Sequence, residues 1–272
     1  MVIKKWLIGL FFCFVRYEAD AQVIIDDNLF VYHQMIAPSR LHPDFLAYLE
    51  NCSLLSEITK PKISLFAENK FMIKELQSFN LNVAIPFNNI SCDVTEKYFG
   101  NTILKSHQIS LSVAKKIDPR LGLGVKWRYG KILTPNQVSS CYISGSIALI
   151  MNPSSNFSVG IGADNIINVF YKNQGSEKLK GVYKIGAGVD CTNEIYLGLK
   201  MVKASGERIL SMGAIHYQLG AAAKIKYGIN FNTMSNEVGV DLMTKKIVLM
   251  FDINYHPQLG PSTFLALQNK IE

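Results

Sequence analysis

From about residue 61 to the C-terminus the chain repeats one pattern: short stretches in which bulky apolar residues alternate with small or polar ones. In Leu121-Gly122-Leu123-Gly124-Val125-Lys126-Trp127-Arg128-Tyr129 the odd positions are apolar or aromatic and the even ones are Gly, Lys or Arg. A period of two puts each set on its own face of a β-strand. A single strand of this kind fits either a soluble sandwich, with charge outside, or a membrane barrel, with charge inside. The number of strands, their connections and the N-terminus separate the two.

The alternation predicts strands over 61–69, 76–86, 89–99, 105–116, 121–130, 140–151, 156–168, 181–191, 195–203, 207–217, 220–232, 236–243, 246–255 and 261–268. Their number is even, as bacterial single-chain barrels require. Most are near the 9–11 residues of a tilted membrane strand. Phe79, Leu81, Val83 and Ile85 oppose Ser78, Asn80, Asn82 and Ala84, and Ile225, Tyr227, Ile229 and Phe231 oppose Lys224, Lys226, Gly228 and Asn230. With a periplasmic N-terminus, connections after even strands face the periplasm and are expected to be short. Ile117-Asp118-Pro119-Arg120, Asn152-Pro153-Ser154-Ser155, Thr192-Asn193-Glu194 and Thr244-Lys245 meet that expectation with turn-forming residues. The two longest connections, about 131–139 and 169–180, fall on the opposite side. The fold class expected is therefore all-β: a transmembrane antiparallel up-and-down barrel of about fourteen strands over residues 60–272.

Residues 1–21 read as a cleaved signal peptide. Lys4 and Lys5 precede an apolar run from Trp6 to Val15, and Ala19-Asp20-Ala21 supplies the cleavage site. The run is too short to span a bilayer as a helix. Residues 22–59 lack the alternation. They read as an N-terminal segment that is periplasmic or plugs the barrel mouth, with a short helix over 43–50 that has Pro43 in its first turn. Beyond the signal the cysteines are Cys52, Cys92, Cys141 and Cys191. Three of them fall on well-separated strands, beyond the roughly 7 Å that a disulfide spans between Cα atoms. They are expected to be free thiols.

The formal charge is +7, but the cations are spread along the strands and turns, with no basic cluster interleaved with aromatics. Nucleic acid is therefore not an expected partner. The even face carries Lys126, Arg128, Asp190, Lys200, Lys224, Lys226, Glu237 and Asp241 as lumen-facing polar candidates, joined by Asp164, Lys184 and Asp252. Opposite charges on neighbouring strands would pair across the interior and fill it, or else line a polar conduit. Interior Gly and Ser suit either, because they leave room for long side chains or for water. No catalytic, cofactor or metal site is expected, because no histidine sits in a nucleophile elbow or a metal signature. His107 beside Ser106 and His216 near Ser211 are the arrangements nearest to a hydrolase site; both histidines read better as interfacial or loop residues. Tyr98, Phe99, Trp127, Tyr129, Phe170, Tyr171, Tyr183, Tyr217 and Tyr255 lie toward strand ends and read as membrane-interface girdles.

Three stretches carry a family resemblance. Asn51-Cys52-Ser53-Leu54-Leu55 stands where FadL-type barrels have an Asn-Pro-Ala-Gly-Leu-like turn before the first strand. Residues 63–65 through 79–86 resemble the first hairpin, whose second strand ends at Pro86, and Tyr255-His256-Pro257-Gln258-Leu259-Gly260-Pro261-Ser262 resembles the last hairpin turn. The chain thus resembles the FadL-type superfamily of fourteen-strand outer-membrane barrels. It is most similar to the compact PorV/PorQ-like branch of Bacteroidota that is linked to type IX secretion. It departs from the family in lacking the Pro, Ala and Gly of the turn and the glycine-rich N-terminal stretch. The resemblance implies an outer-membrane location with a periplasmic N-terminus and contact with outer-membrane lipid. It further implies a non-enzymatic role as a subunit or accessory of an envelope protein export or assembly machine, with protein partners in that complex. The alternative is passive FadL-like transport of a hydrophobic or small compound.

Overall fold

A computed structural model describes residues 34–100, 105–133, 140–171 and 179–270. Residues 1–21, read as a signal peptide, and residues 22–33 lie outside the described residues, as do most of the two long connections.

The alternating stretches form fourteen strands: β1 (Lys62–Asn69), β2 (Gln77–Phe87), β3 (Ile90–Gly100), β4 (Lys105–Asp118), β5 (Leu121–Leu133), β6 (Ser140–Met151), β7 (Phe157–Tyr171), β8 (Val182–Asp190), β9 (Ile195–Ala204), β10 (Ile209–Leu219), β11 (Ala223–Asn230), β12 (Asn236–Met243), β13 (Ile247–His256) and β14 (Gly260–Asn269). Each pairs antiparallel with its neighbours in sequence, and β1 pairs with β14, which closes the barrel. Closure leaves no open edge, so nearly every strand backbone group finds a partner within the sheet. Most strand boundaries fall within two residues of those the alternation predicts. The exceptions have local causes. β5 and β7 run three residues further than expected, which shortens both long connections. β11 is cut back at each end, because Gly220 (φ +61°) takes the chain into a tight turn and Asn230 caps the next one by accepting from the amides of Asn232 and Thr233.

The outer face is apolar almost all the way round. Leu65, Phe79, Leu111, Trp127, Ile161, Ile185, Leu199, Ile215, Val238, Phe251 and Leu265 are all exposed. Such a surface is stable only against lipid. No helix among the described residues is long and apolar enough to cross a membrane; here the strands make the crossing. Tyr98, Tyr129, Tyr183, Tyr217 and Tyr255 lie on this face as expected. Trp127 also faces outward, but from the middle of β5. Phe99 and Phe170 are corrections. The register aligns Phe99 with Ser78 and Ser106, and Phe170 with Tyr142, against whose ring it packs at 5.6 Å. Both aromatics therefore turn to the lumen side.

β7 carries the main irregularity. Asn165 adopts φ +55°, and the pairing with β6 shifts register between Gly145 and Ile147. Pairing with β8 stops at Asp164–Val182. Beyond that point the Asn165 and Asn168 side chains donate to the carbonyls of Lys180 and Leu179, which replaces ladder bonds with side-chain bonds.

Candidate functional site

Residues 34–58 lie inside the barrel. The described chain starts with the Gln34 carbonyl accepting from Lys200 Nζ at 2.9 Å. It descends past β7–β9, where the Ala37 carbonyl accepts from the Tyr196 hydroxyl and the Pro38 carbonyl from Ser158 Oγ. At the rim that carries the even-strand turns, His42 Nε2 meets the Asn193 carbonyl at 2.6 Å. The chain then turns back into the lumen as a short helix, α1 (Ala47–Glu50), followed by a 3-10 turn, Cys52–Glu57. It leaves by the same rim into β1.

Its sequence explains this path. Phe45, Leu46, Ala47, Tyr48, Leu54, Leu55 and Ile58 form the largest apolar cluster among the described residues with Ala84, Ala114, Ala148, Ile150, Val248, Met250 and Ala266 of the wall. Asn51 is the hinge between the two short helices. Its Oδ1 accepts from the Ser53 amide (3.1 Å) and hydroxyl (2.5 Å), capping the 3-10 turn, while its Nδ2 donates to the Ile36 carbonyl at 2.8 Å. Asn51 and Leu55 are both fully buried. They are the two positions that the turn shares with the FadL-type pattern.

Two acids of this segment take the lysines of the wall. Glu50 Oε1 lies 3.3 Å from Lys184 Nζ and 3.2 Å from Lys200 Nζ. Asp44 Oδ1 lies 3.0 Å from Lys224 Nζ and 3.5 Å from His216 Nδ1. Asp190 returns the favour from the wall, accepting from Ser39 Oγ (2.5 Å) and from the amides of Arg40 (2.8 Å) and Leu41 (3.3 Å). Burial of the Asp44 carboxyl opposes its ionisation, but His216, Lys224 and Lys226 outweigh burial and hold it at about 2. Glu50 shows the same balance: burial would raise it, and Lys184 and Lys200 keep it below the usual carboxylate range.

The polar candidates fall into two groups. Lys126 donates to the Leu49 carbonyl at 2.8 Å. With Lys200, Lys224 and Asp190 it holds the inner segment. Arg128 meets Asp164 at 2.9 Å, and Lys226 meets Asp241 at 2.7 Å and Asp252 at 3.0 Å. These pair within the wall. Glu237 is buried on the lumen side of β12, four residues before Asp241 on the same face. Lys184 bridges both groups, through Glu50 and through Asp164 at 2.8 Å. The expectation that charges pair across the interior between strands therefore covers only part of the set, because a segment of the same chain stands between the walls.

The interior glycines have a definite purpose as well. A Cβ on Gly124 would meet Ser53 N at 2.5 Å and Cys52 C at 2.7 Å. A Cβ on Gly160 would collide with the Ile36 carbonyl, and one on Gly188 with that of Ala37. These glycines let two backbones touch. The glycine signal was visible in the strands, but nothing in the strands says what approaches them. From the sequence, Asp44, Tyr48 and Glu50 are not singled out, and Asn51 is met only in the FadL-like turn. The signal that marks them is two acids flanking the apolar run Phe45 to Leu49.

The hydrolase arrangements fail on geometry. His107 faces outward, 2.7 Å from Glu96, whereas Ser106 lies on the opposite face of β4. His216 is a correction: it is neither interfacial nor in a loop, but buried in the lumen against the Tyr196 ring at 5.0 Å. Ser211 lies an odd number of residues away along β10, on its other face. The four cysteines among the described residues are free, and no cluster there has the make-up of a metal site.

No family profile matches the sequence, and no curated protein is similar to it at a significant level. The fold does have solved counterparts. The Pseudomonas putida toluene transporter TodX matches with a TM-score of 0.60 at 7% identity, covering 88% of this chain and 95% of that one. The Ralstonia pickettii toluene transporter TbuX matches at 0.58 and 10% identity, covering 83% and 93%. A Pseudomonas aeruginosa FadL homologue matches at 0.54 and 9% identity, covering 88% and 96%. At these identities the likeness is one of fold: the chain has the architecture of FadL-type outer-membrane barrels.

Proposed function

We propose that the protein is a passive transporter of the outer membrane, admitting a small hydrophobic or small polar compound through a lumen that its own N-terminal segment closes. One observation carries this reading: residues 34–58 are seated in the lumen by a separable set of ion pairs and backbone contacts, not woven into the sheet. A wall built only for strength would be filled by its own side chains. This wall keeps glycine where the segment lies and lysine where its acids lie. The fold shared with two toluene transporters supports the same reading. That support gives transport precedence over a role in an export machine, which rests on the resemblance of three short stretches and has no counterpart among these structures. In this reading the rim of even-strand turns is periplasmic, and the segment enters from that side.

The test is uptake by intact cells of a porin-deficient host expressing the full chain, with toluene and a small neutral sugar as the two probes. Entry of at least one probe is expected to rise several-fold over the empty-vector strain, and to rise further with Glu50→Gln. Entry at vector level for both probes, with the barrel folded in the outer membrane, overturns the proposal. A stoichiometric, salt-resistant protein partner recovered in mild detergent from such non-conducting cells would return the export role to first place.

A further inference from the structure

At the even-turn rim the inner segment leaves a cleft of about 230 Å³ between itself and the β14–β1 seam. Its floor includes Phe45, Tyr48 and Ile58, and its margin carries Lys60, Lys62 and Lys270. Lys62 projects from β1 with its Nζ 5.7 Å over the centre of the Tyr48 ring, within the range of a cation–π contact. Among the described residues none of the three lysines has a carboxylate partner. The two acids that line the cleft are engaged elsewhere. Asp44 is held by Lys224 and His216 (3.0 and 3.5 Å), and Glu57 by Asn152 (2.8 Å) and Arg40 (3.8 Å). The cleft thus combines an apolar floor with an uncompensated positive margin, at a mouth where Thr59, Lys60 and Pro61 are open to solvent.

We propose that this cleft binds a small amphipathic monoanion, its acidic head on Lys62 and its apolar body on the floor of Phe45, Tyr48 and Ile58. Size limits the body. An apolar cavity of roughly 150 Å³ holds a benzene ring, so 230 Å³ admits a ring or short branched chain with a carboxylate and excludes a long acyl chain lying wholly inside. Charge limits the head. A half-buried cation without a counter-ion gains a charge-assisted hydrogen bond when an anion arrives, and a neutral isostere of the same shape gains nothing comparable. A free organic acid and the head of an anionic lipid at the rim share this chemistry. The site does not depend on whether the lumen conducts.

The experiment uses the full chain as recovered from outer membranes, in neutral detergent, with benzoate as probe and benzamide as the uncharged comparator, read by saturation-transfer NMR. Benzoate should bind saturably and at least about tenfold more tightly than benzamide, and Lys62→Met should weaken benzoate about tenfold or more. Ile58→Trp, which fills the cleft without touching the charges, should abolish binding of both. The heat-induced gel shift of each variant reports whether the barrel is folded. Mass spectrometry of co-purified lipid then identifies the source. A phosphatidylglycerol retained by the native chain, displaced by benzoate and lost from Lys62→Met assigns the head to lipid; a lipid-free native chain that binds benzoate assigns it to a free acid. Equal binding of benzoate and benzamide, or benzoate binding that survives both substitutions in folded protein, overturns the proposal.

Discussion

The lumen has two unlike arcs, and the N-terminal segment touches both. Along β7–β13 the wall meets it with charge: Lys184, Asp190, Lys200 and Lys224 each reach a named atom of residues 34–50. Along β14 to β4 the contacts with the segment are mostly neutral, Lys62 over the Tyr48 ring being the charged exception. There Tyr48 donates to Asn82 Oδ1 at 2.7 Å and sits 3.4 Å from Ser64 Oγ, and alanines 84, 114 and 266 pack against the apolar face of the segment. Asp93, a charge on that arc, is taken up by Asn82 and Thr95 of the wall itself. The comparison separates two jobs. The neutral arc accepts the segment by shape, which burial favours wherever the surfaces fit. The charged arc fixes where along the lumen it stops, because a buried carboxylate is tolerated only beside its cations.

Breaking the charged arc should have the largest effect. Glu50→Gln removes the carboxylate that Lys184 and Lys200 share, leaving Asp164 beside Lys184 and Glu237 as the acid acting on Lys200. Loss of one partner from a buried ionic cluster costs about 3–5 kcal/mol. The segment should therefore become protease-sensitive within a folded barrel, and single-channel recordings should show new open events. If the segment stays protected, the charged arc does not set its position. Breaking the shape side comes next. Gly124→Val pushes side-chain atoms into the Cys52–Ser53 backbone, which cannot rotate away. The cost should be near the upper end of the overpacking range, about 3 kcal/mol. The readout is again protease sensitivity of the segment; Gly145→Val, whose added Cβ would have no closer neighbour than Ile167 at 3.7 Å, should leave it unchanged.

Acid should give the mildest and most graded break. The Asp44 carboxyl is held at about 2 in the folded protein, against 3.8 when free. A depressed folded value contributes stability above the free value, and that contribution is lost as pH falls through the folded one. Between about pH 4 and pH 2 the segment should therefore lose on the order of 2 kcal/mol of anchoring from Asp44. Glu50, also depressed, adds to the same trend. Conductance measured against pH should rise over that window in the native chain, and the rise should be smaller in Asp44→Asn. A flat profile would mean that the shape-fitting arc holds the segment alone.

The alternation by itself determined the barrel. Strand number, order and most boundaries followed from period-two runs separated by turns such as Asn152-Pro153-Ser154-Ser155, because side chains on a strand have only two directions and lipid accepts only one kind of face. It also determined which polar residues point inward, from Lys126 to Asp241. Tertiary structure alone decided what those residues meet. Lys224 reads the same in sequence whether it pairs with Asp241 on the next strand or with Asp44 some 180 residues earlier, since the period assigns a face but not a partner. Gly124 reads the same whether it borders water or the Ser53 backbone. Phe99 and Phe170 looked like girdle residues by their place near strand ends; register turned them inward, because one position along a strand changes the face. The contacts that seat residues 34–58 against the wall lie between segments far apart in the chain, and their chemistry appears only when the barrel brings them to within hydrogen-bond distance.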